Sequence, residues 1–278
     1  MDDAGARIDK QDTSLFGYVL SQSTENDKKS LLALQSAFRQ RKEYIYLEIG
    51  SYRGGSLQPY VVDEKCRQLI SIDPRPYSLP DERGEKLSYW ENTTRGMLDA
   101  LAKVPGGNLA KIKTIEEGTD TLSSSGLGCR PDFCFVDGEH TDSAVVRDAR
   151  FCLSAIQENG CIAFHDSNIV YKGISAFLDE LKRAGRAFRA FHLPDSVVFV
   201  ELDECRASEF KPVQAMHEAN CEGYLWSLMT NDAYRNYYNS PLLRFFRACK
   251  LKVWDTGPMG RLRRILHSSK AHAEKGPD

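Results

Sequence analysis

The sequence predicts an α/β protein with an open, doubly wound, mostly parallel sheet of seven strands and a helical C-terminal extension. Two observations lead there. Short apolar, β-branched runs alternate with longer stretches whose apolar residues recur every three or four positions. The runs also stop at glycine, proline or acidic residues, as strands do where they hand over to loops and helices.

In chain order, Leu31, Leu34 and Phe38 predict a helix over 26–42, with Asn26 or Asp27 as its cap. Tyr44 to Ile49 is a first strand ending at Gly50; Ser51 to Gly55 form a turn, and Ser56 begins a helix with Pro59 in its first turn. Gln68 to Asp73 is a second strand, stopped by Pro74 and Pro76. A helix over 93–103, a strand over 111–115 and a strand from Phe133 to Val136 follow. Val145, Ala149, Cys152, Leu153 and Ile156 mark a helix closed by Asn159 and Gly160. Cys161 to Phe164 is the fifth strand, Ile174 to Leu181 a helix stopped by Gly185, and 187–192 and 196–202 are two closing strands. The chain thus divides into a helical lead-in (1–43), a core (44–204) and an extension (205–278).

Composition narrows the function classes. With 278 residues, 41% of them hydrophobic, the chain can bury a core without help from metals or disulfides. Its eight cysteines have no CxxC pairing, which fits reduced thiols in a cytoplasm. No run approaches the roughly 18–20 apolar residues of a spanning helix, and the polar, acidic start is unlike a signal peptide. Net charge is −2, but residues 241–278 carry nine Lys/Arg against three Asp/Glu, leaving −8 on residues 1–240. An acidic body argues against a nucleic-acid partner. The basic tail interleaves Leu242, Leu243, Phe245 and Phe246 with Arg244 and Arg247, a pattern suited to a helical cover, a homo-oligomer contact or an anionic membrane surface.

In a doubly wound sheet ligands bind outside the carboxyl ends of the strands, so the first turn and the strand tips are where chemistry is expected. The turn reads Glu48-Ile49-Gly50-Ser51-Tyr52-Arg53-Gly54-Gly55-Ser56. It is neither GxGxxG, because Tyr52 replaces the second glycine, nor a P-loop. Asp73, at the tip of the second strand, is placed to accept hydrogen bonds from a ribose diol. Alone, such a turn is also what a tight strand–helix connection looks like.

Glu48-x-Gly50-x-x-x-Gly54-x-Ser56 resembles the first motif of class I S-adenosylmethionine-dependent methyltransferases, with Asp73 as their ribose-holding acid. The resemblance implies a Rossmann-like methyltransferase fold, with Glu48, Gly50, Ser51, Gly54 and Ser56 around the amino-acid part of the cofactor. Glu117, Gly118 and Thr119 would meet the adenine. A second block, Asp137-Gly138-Glu139-His140 followed by His165-Asp166, is similar to the subgroup typified by macrolide-sugar O-methyltransferases. That resemblance implies Asp137, beside the cofactor, and Asp166 as ligands of a divalent metal, Mg or Mn, and His140 as general base.

One position departs from that subgroup: His165 stands where those enzymes have a carboxylate. Either His165 ligates a softer metal, or it hydrogen-bonds without ligating, or the site holds no metal. His192, His217, His267 and His272 have no comparable neighbours in the sequence. The implied activity is O-methylation of a small molecule or glycan. A Rossmann-type nucleotide-dependent oxidoreductase, or a non-catalytic protein keeping the cofactor fold, are the alternatives.

Overall fold

The computed structural model describes residues 3–41, 43–75, 81–83 and 92–220, with single positions between 229 and 246. The chain divides into two compact units, Met1–Asn231 and Asp232–Asp278. In the second, positions 232–233, 235–236, 241–243 and 245–246 are helical, and the basic stretch beyond 246 lies outside the described residues. No helix among the described residues is long and apolar enough to cross a membrane.

The first unit is built on strands β1 (Tyr44–Ile49), β2 (Cys66–Ile72), β3 (Ile112–Ile115), β4 (Phe133–Val136), β5 (Cys161–Phe164), β6 (Phe188–His192) and β7 (Val198–Leu202). They form one seven-stranded sheet in the order β3-β2-β1-β4-β5-β7-β6. β1 pairs in parallel with β2 and β4, and β2–β3 and β4–β5 are parallel too. β7 runs against both neighbours. This is the doubly wound sheet that the alternation of runs predicts.

Among the described residues, seven complete α-helices accompany it: α1 (Ala4–Asp9), α2 (Glu25–Arg39), α3 (Gln58–Val62), α4 (Thr94–Leu101), α5 (Asp142–Ala155), α6 (Ser167–Arg183) and α7 (Lys211–Glu218). Strand side chains alternate between faces, so one strand feeds two cores. Tyr44, Tyr46, Phe133 and Phe135 join Leu31 and Leu34 of α2 on one face. Ile45, Leu47, Cys134 and Val136 join Ala149 and Cys152 of α5 and Phe177 of α6 on the other. Each buried Leu, Ile, Val or Phe among them contributes roughly 1.5–3 kcal/mol. Residues before 44 are therefore part of the wall of the sheet, through α2.

Boundaries shift where local chemistry decides them. α2 begins at Glu25 because Thr24, not Asn26 or Asp27, is its cap; Thr24 and Asp27 form a reciprocal capping box. α3 begins at Gln58 instead of Ser56, whose hydroxyl is taken by Glu48. α5 stops at Ala155, ahead of Asn159 and Gly160, as Gln157 N–H turns away to the Pro131 carbonyl. β7 starts at Val198 because Asp195, at φ +67°, makes the preceding residues a tight turn.

Between β1 and β4 the winding reverses: the chain leaves β1 towards β2 and β3 and returns on the other side through β4. The crevice this opens at the strand tips is where Gly50, Asp73 and Asp137 emerge.

Candidate active site

The glycine turn is shaped by contacts that leave no room for side chains. Gly50 has φ +88°, and a Cβ there would overlap the Asp137 carbonyl and Gly138. Its amide donates to the Ile72 carbonyl (2.8 Å) while Asp137 N–H donates to Ile49 (2.9 Å), so the tips of β1, β2 and β4 are laced together. Tyr52, at φ +43°, presents its N–H to Asp73 Oδ2 at 2.9 Å, and Asn92 donates to Asp73 Oδ1 at 3.1 Å. Burial pushes the Asp73 carboxyl up, with the nearby Arg75 guanidinium opposing it.

A cleft of about 460 Å³ runs along this turn. Of the residues expected around a cofactor, Gly50, Ser51, Ser56, Asp73, Gly118, Thr119 and Asp137 line it. Glu48, Gly54 and Glu117, expected there too, are not among its lining residues. Glu48 is fully buried beneath the turn, accepting from Ser56 Oγ (2.5 Å) and Tyr46 Oη (2.6 Å). Burial raises its carboxyl to about 8. Gly54, at φ +81°, packs against Leu101 and Met97, and Glu117 points to solvent.

The cleft also has walls that the motif did not indicate. Asp148 on α5 is buried, accepts from Thr119 Oγ1 and pairs with Arg147 Nε at 3.0 Å. Its signal was an acidic residue on the apolar face of Val145, Ala149 and Cys152, which only a buried polar role explains.

At the inner end of the cleft, Asp137, His140, His165 and Asp166 come together, one ligand atom of each lying within 4.8 Å of the others. His140 Nε2 is 3.4 Å from Asp137 Oδ1 and 3.3 Å from Asp166 Oδ2. His165 Nδ1 is 3.0 Å from Asp137 Oδ1 and 3.6 Å from Asp166 Oδ2. Asp166 is the residue before α6 but makes no side-chain cap; at φ +46° its carboxylate turns to the cluster instead. Burial disfavours the charged forms, yet the mutual contacts outweigh it. His140 and His165 are held above the ordinary histidine range, Asp137 and Asp166 below the ordinary carboxylate range.

A fifth member comes from the lead-in. Asp27 of α2, 1% exposed, places Oδ2 at 3.4 Å from His165 Nε2. It is one turn ahead of Leu31 on the buried face of its helix, so its role was readable only as a cap.

Beyond the cluster lies a second cavity, of about 430 Å³. It shares Gln22, Asp137 and His140 with the cleft, and its far wall is polar: Asp27, Asn168, His192, Asp195, Ser196 and Asn220. His192 is thus not isolated. Its Nδ1 meets Asn220 Nδ2 at 2.5 Å, and burial lowers its imidazole to about 4.

Residues 47–167 match a family described as a methyltransferase domain. An uncharacterized protein, R132, of Acanthamoeba polyphaga mimivirus is 29% identical over 133 residues, 46% of this chain and 53% of that protein. The match spans about half the length of that curated relative. Among solved structures, the O-methyltransferase TomG of Streptomyces achromogenes, in complex with S-adenosylmethionine, is 13% identical with a TM-score of 0.46, covering 73% of this chain and 90% of its own. A Bacillus cereus O-methyltransferase in complex with S-adenosylhomocysteine is 10% identical with a TM-score of 0.45, over 73% and 92%. MycE of the mycinamycin pathway, with Mg and S-adenosylhomocysteine, is 15% identical with a TM-score of 0.46, over 73% and 55%.

Proposed function

We propose that this chain, whose residues 47–167 match a methyltransferase-domain family, is a class I, S-adenosylmethionine-dependent methyltransferase that moves the cofactor's methyl group onto a hydroxyl of a small molecule or sugar. The observation that carries this reading is the meeting of two cavities at Asp137 and His140. One is bordered by the glycine turn and an acid suited to a ribose diol. The other is walled by amide, hydroxyl, imidazole and carboxylate groups that match a hydroxyl-rich acceptor.

Each residue then has a defined task. Gly50 lets the cofactor approach the backbone, and Asp73 accepts from its ribose hydroxyls while Tyr52 N–H and Asn92 keep the carboxylate in place. His140 stands on the partition between the cavities and takes the acceptor's proton. Asp137 and Asp166 flank its Nε2 within 3.4 Å and stabilise the imidazolium that results. Holding acceptor oxygen and methyl group in line across that partition supplies much of the rate.

The cluster also has the donor set for a divalent cation. Asp137, Asp166 and His165 would hold it, and the imidazole of His165 favours manganese or a later transition metal over magnesium. When bound, such an ion lowers the pKa of the acceptor hydroxyl.

His140→Ala tests the reading. S-adenosylhomocysteine should bind the variant as it binds the native chain by calorimetry, and NAD should bind neither. Release of S-adenosylhomocysteine during turnover of a panel of hydroxylated acceptors should fall about 10²–10⁴-fold. Native-like turnover by the variant removes His140 from the mechanism; failure of the native chain to bind S-adenosylhomocysteine removes the whole reading. For the basic extension we also propose contact with an anionic membrane surface, supported by exposed Leu242, Phe245 and Phe246 within its positively charged sequence.

A further inference from the structure

Asp27 lies outside the methyltransferase match at 47–167, on a helix that reaches the site only by packing against the sheet. Its carboxylate is pinned from two sides. Oδ1 accepts from Ser196 N–H and Oγ, both at 3.0 Å. Oδ2 accepts from Thr24 N–H at 3.2 Å and Thr24 Oγ1 at 2.9 Å, and also faces His165 Nε2 at 3.4 Å. A helix-capping role asks only for the Thr24 contacts and is ordinarily met at the surface. Burial of the carboxylate to 1% exposure against an imidazole asks for a further reason, since an unpaired buried charge is costly.

We infer that Asp27 is a positioning residue: it fixes the His165 ring so that Nδ1 faces Asp137 and Asp166, and thereby sets how tightly the cluster holds a divalent cation. The two nitrogens of an imidazole are distinct, and the partner of one decides what the other presents. Here Nε2 faces Asp27, while Nδ1 lies 3.0 Å from Asp137 Oδ1 and 3.6 Å from Asp166 Oδ2. Phe135 meets the ring edge-on at 5.9 Å between centroids, which restricts its tilt. A carboxylate behind a ligating histidine orients the ring and makes it a better donor, and its loss ordinarily lowers metal affinity 10–100-fold. The histidine that replaces a carboxylate in this cluster thus comes with its own anionic backing, delivered by α2. The inference rests on the cluster being the reactive centre, and its test is independent of turnover.

The test is a Mn²⁺ titration of the full chain followed by electron paramagnetic resonance of the free ion, with pulsed measurements for imidazole nitrogen on the bound ion. The native chain should bind Mn²⁺ with nitrogen modulation. Asp27→Asn, which can still accept from Thr24, should bind about 10–100-fold more weakly and lose most of that modulation. Asp27→Glu, which keeps the charge but moves it by a methylene, should fall between the two and covers the case in which Asn does not fold. S-adenosylhomocysteine affinity, measured alongside, should be unchanged in any folded variant; its absence in the native chain breaks the cofactor reading instead. Equal Mn²⁺ affinity and equal modulation in native and variant chains overturn the inference, as does a native chain that binds no Mn²⁺.

Discussion

The two cavities are similar in size but built by different means. The cleft along the glycine turn is lined by the turn, the residues just past the strand tips and the first half of α5, and nearly all of its wall lies within the stretch of 47–167. The second cavity is made of side chains brought from afar: Thr24 and Asp27 from the N-terminal segment, His192 to Ser196 from the β6–β7 turn, Asn220 from beyond α7. A cavity set at the strand tips is fixed by strand order, and at Gly50 it tolerates few residue types. One made of distant side chains can be re-lined without disturbing the sheet, which suits a cofactor shared by many enzymes and an acceptor particular to one.

Substitutions that strike only one of the two sharpen this contrast. The largest effect is expected at Gly50→Ala, where φ +88° and overlap with the Asp137 carbonyl leave no place for a methyl group. Stability should drop by about 3 kcal/mol or more, and S-adenosylhomocysteine binding should be lost. Denaturant unfolding and calorimetry check both, and a stable, binding Gly50→Ala chain would contradict the backbone account.

Glu48 gives the frame of the cleft a pH dependence of its own. Its carboxyl titrates near 8 when folded against 4.5 ordinarily, so the folded chain keeps a proton that the unfolded chain releases between those values. Its stabilising contribution is therefore whole below about pH 4.5, declines by about 1.4 kcal/mol per pH unit up to about 8, and is flat above. Glu48→Gln should remove that decline, seen as the difference between the two thermal-unfolding profiles from pH 5 to 8. Parallel profiles would mean that Glu48 is ionised beneath the turn.

The smallest effect belongs to neither cavity. Replacing Leu242, Phe245 and Phe246 together by serine should reduce co-sedimentation with anionic vesicles several-fold and leave S-adenosylhomocysteine binding unchanged, because the substitutions touch only exposed apolar surface. Equal sedimentation of the two chains removes the membrane proposal.

The same contrast explains what could be read from the residues alone. Strands such as β1, β2 and β4 were legible because each is a short run rich in apolar residues ended by a glycine, proline or acid, and Asp137, His165 and Asp166 because strand tips converge wherever a parallel sheet does. Glu48 was placed in the cofactor's wall by its motif; its alternation with Ile49 sends it under the turn. Asp27, His192 and Asn220 were not legible as one site because nothing local marks residues that meet only after packing. Asp27 looked like a cap; it is the third-position partner of the cap, Thr24.

The interlocking of Gly50 with the Asp137 carbonyl has a consequence for engineering. The portable unit of this fold is not a loop but a discontinuous pair of strand tips, because the turn after β1 fits only against the backbone after β4. A chimera that imports residues 48–56 without 136–138 brings a key without its lock, and one that exchanges both can leave the second cavity as it stands.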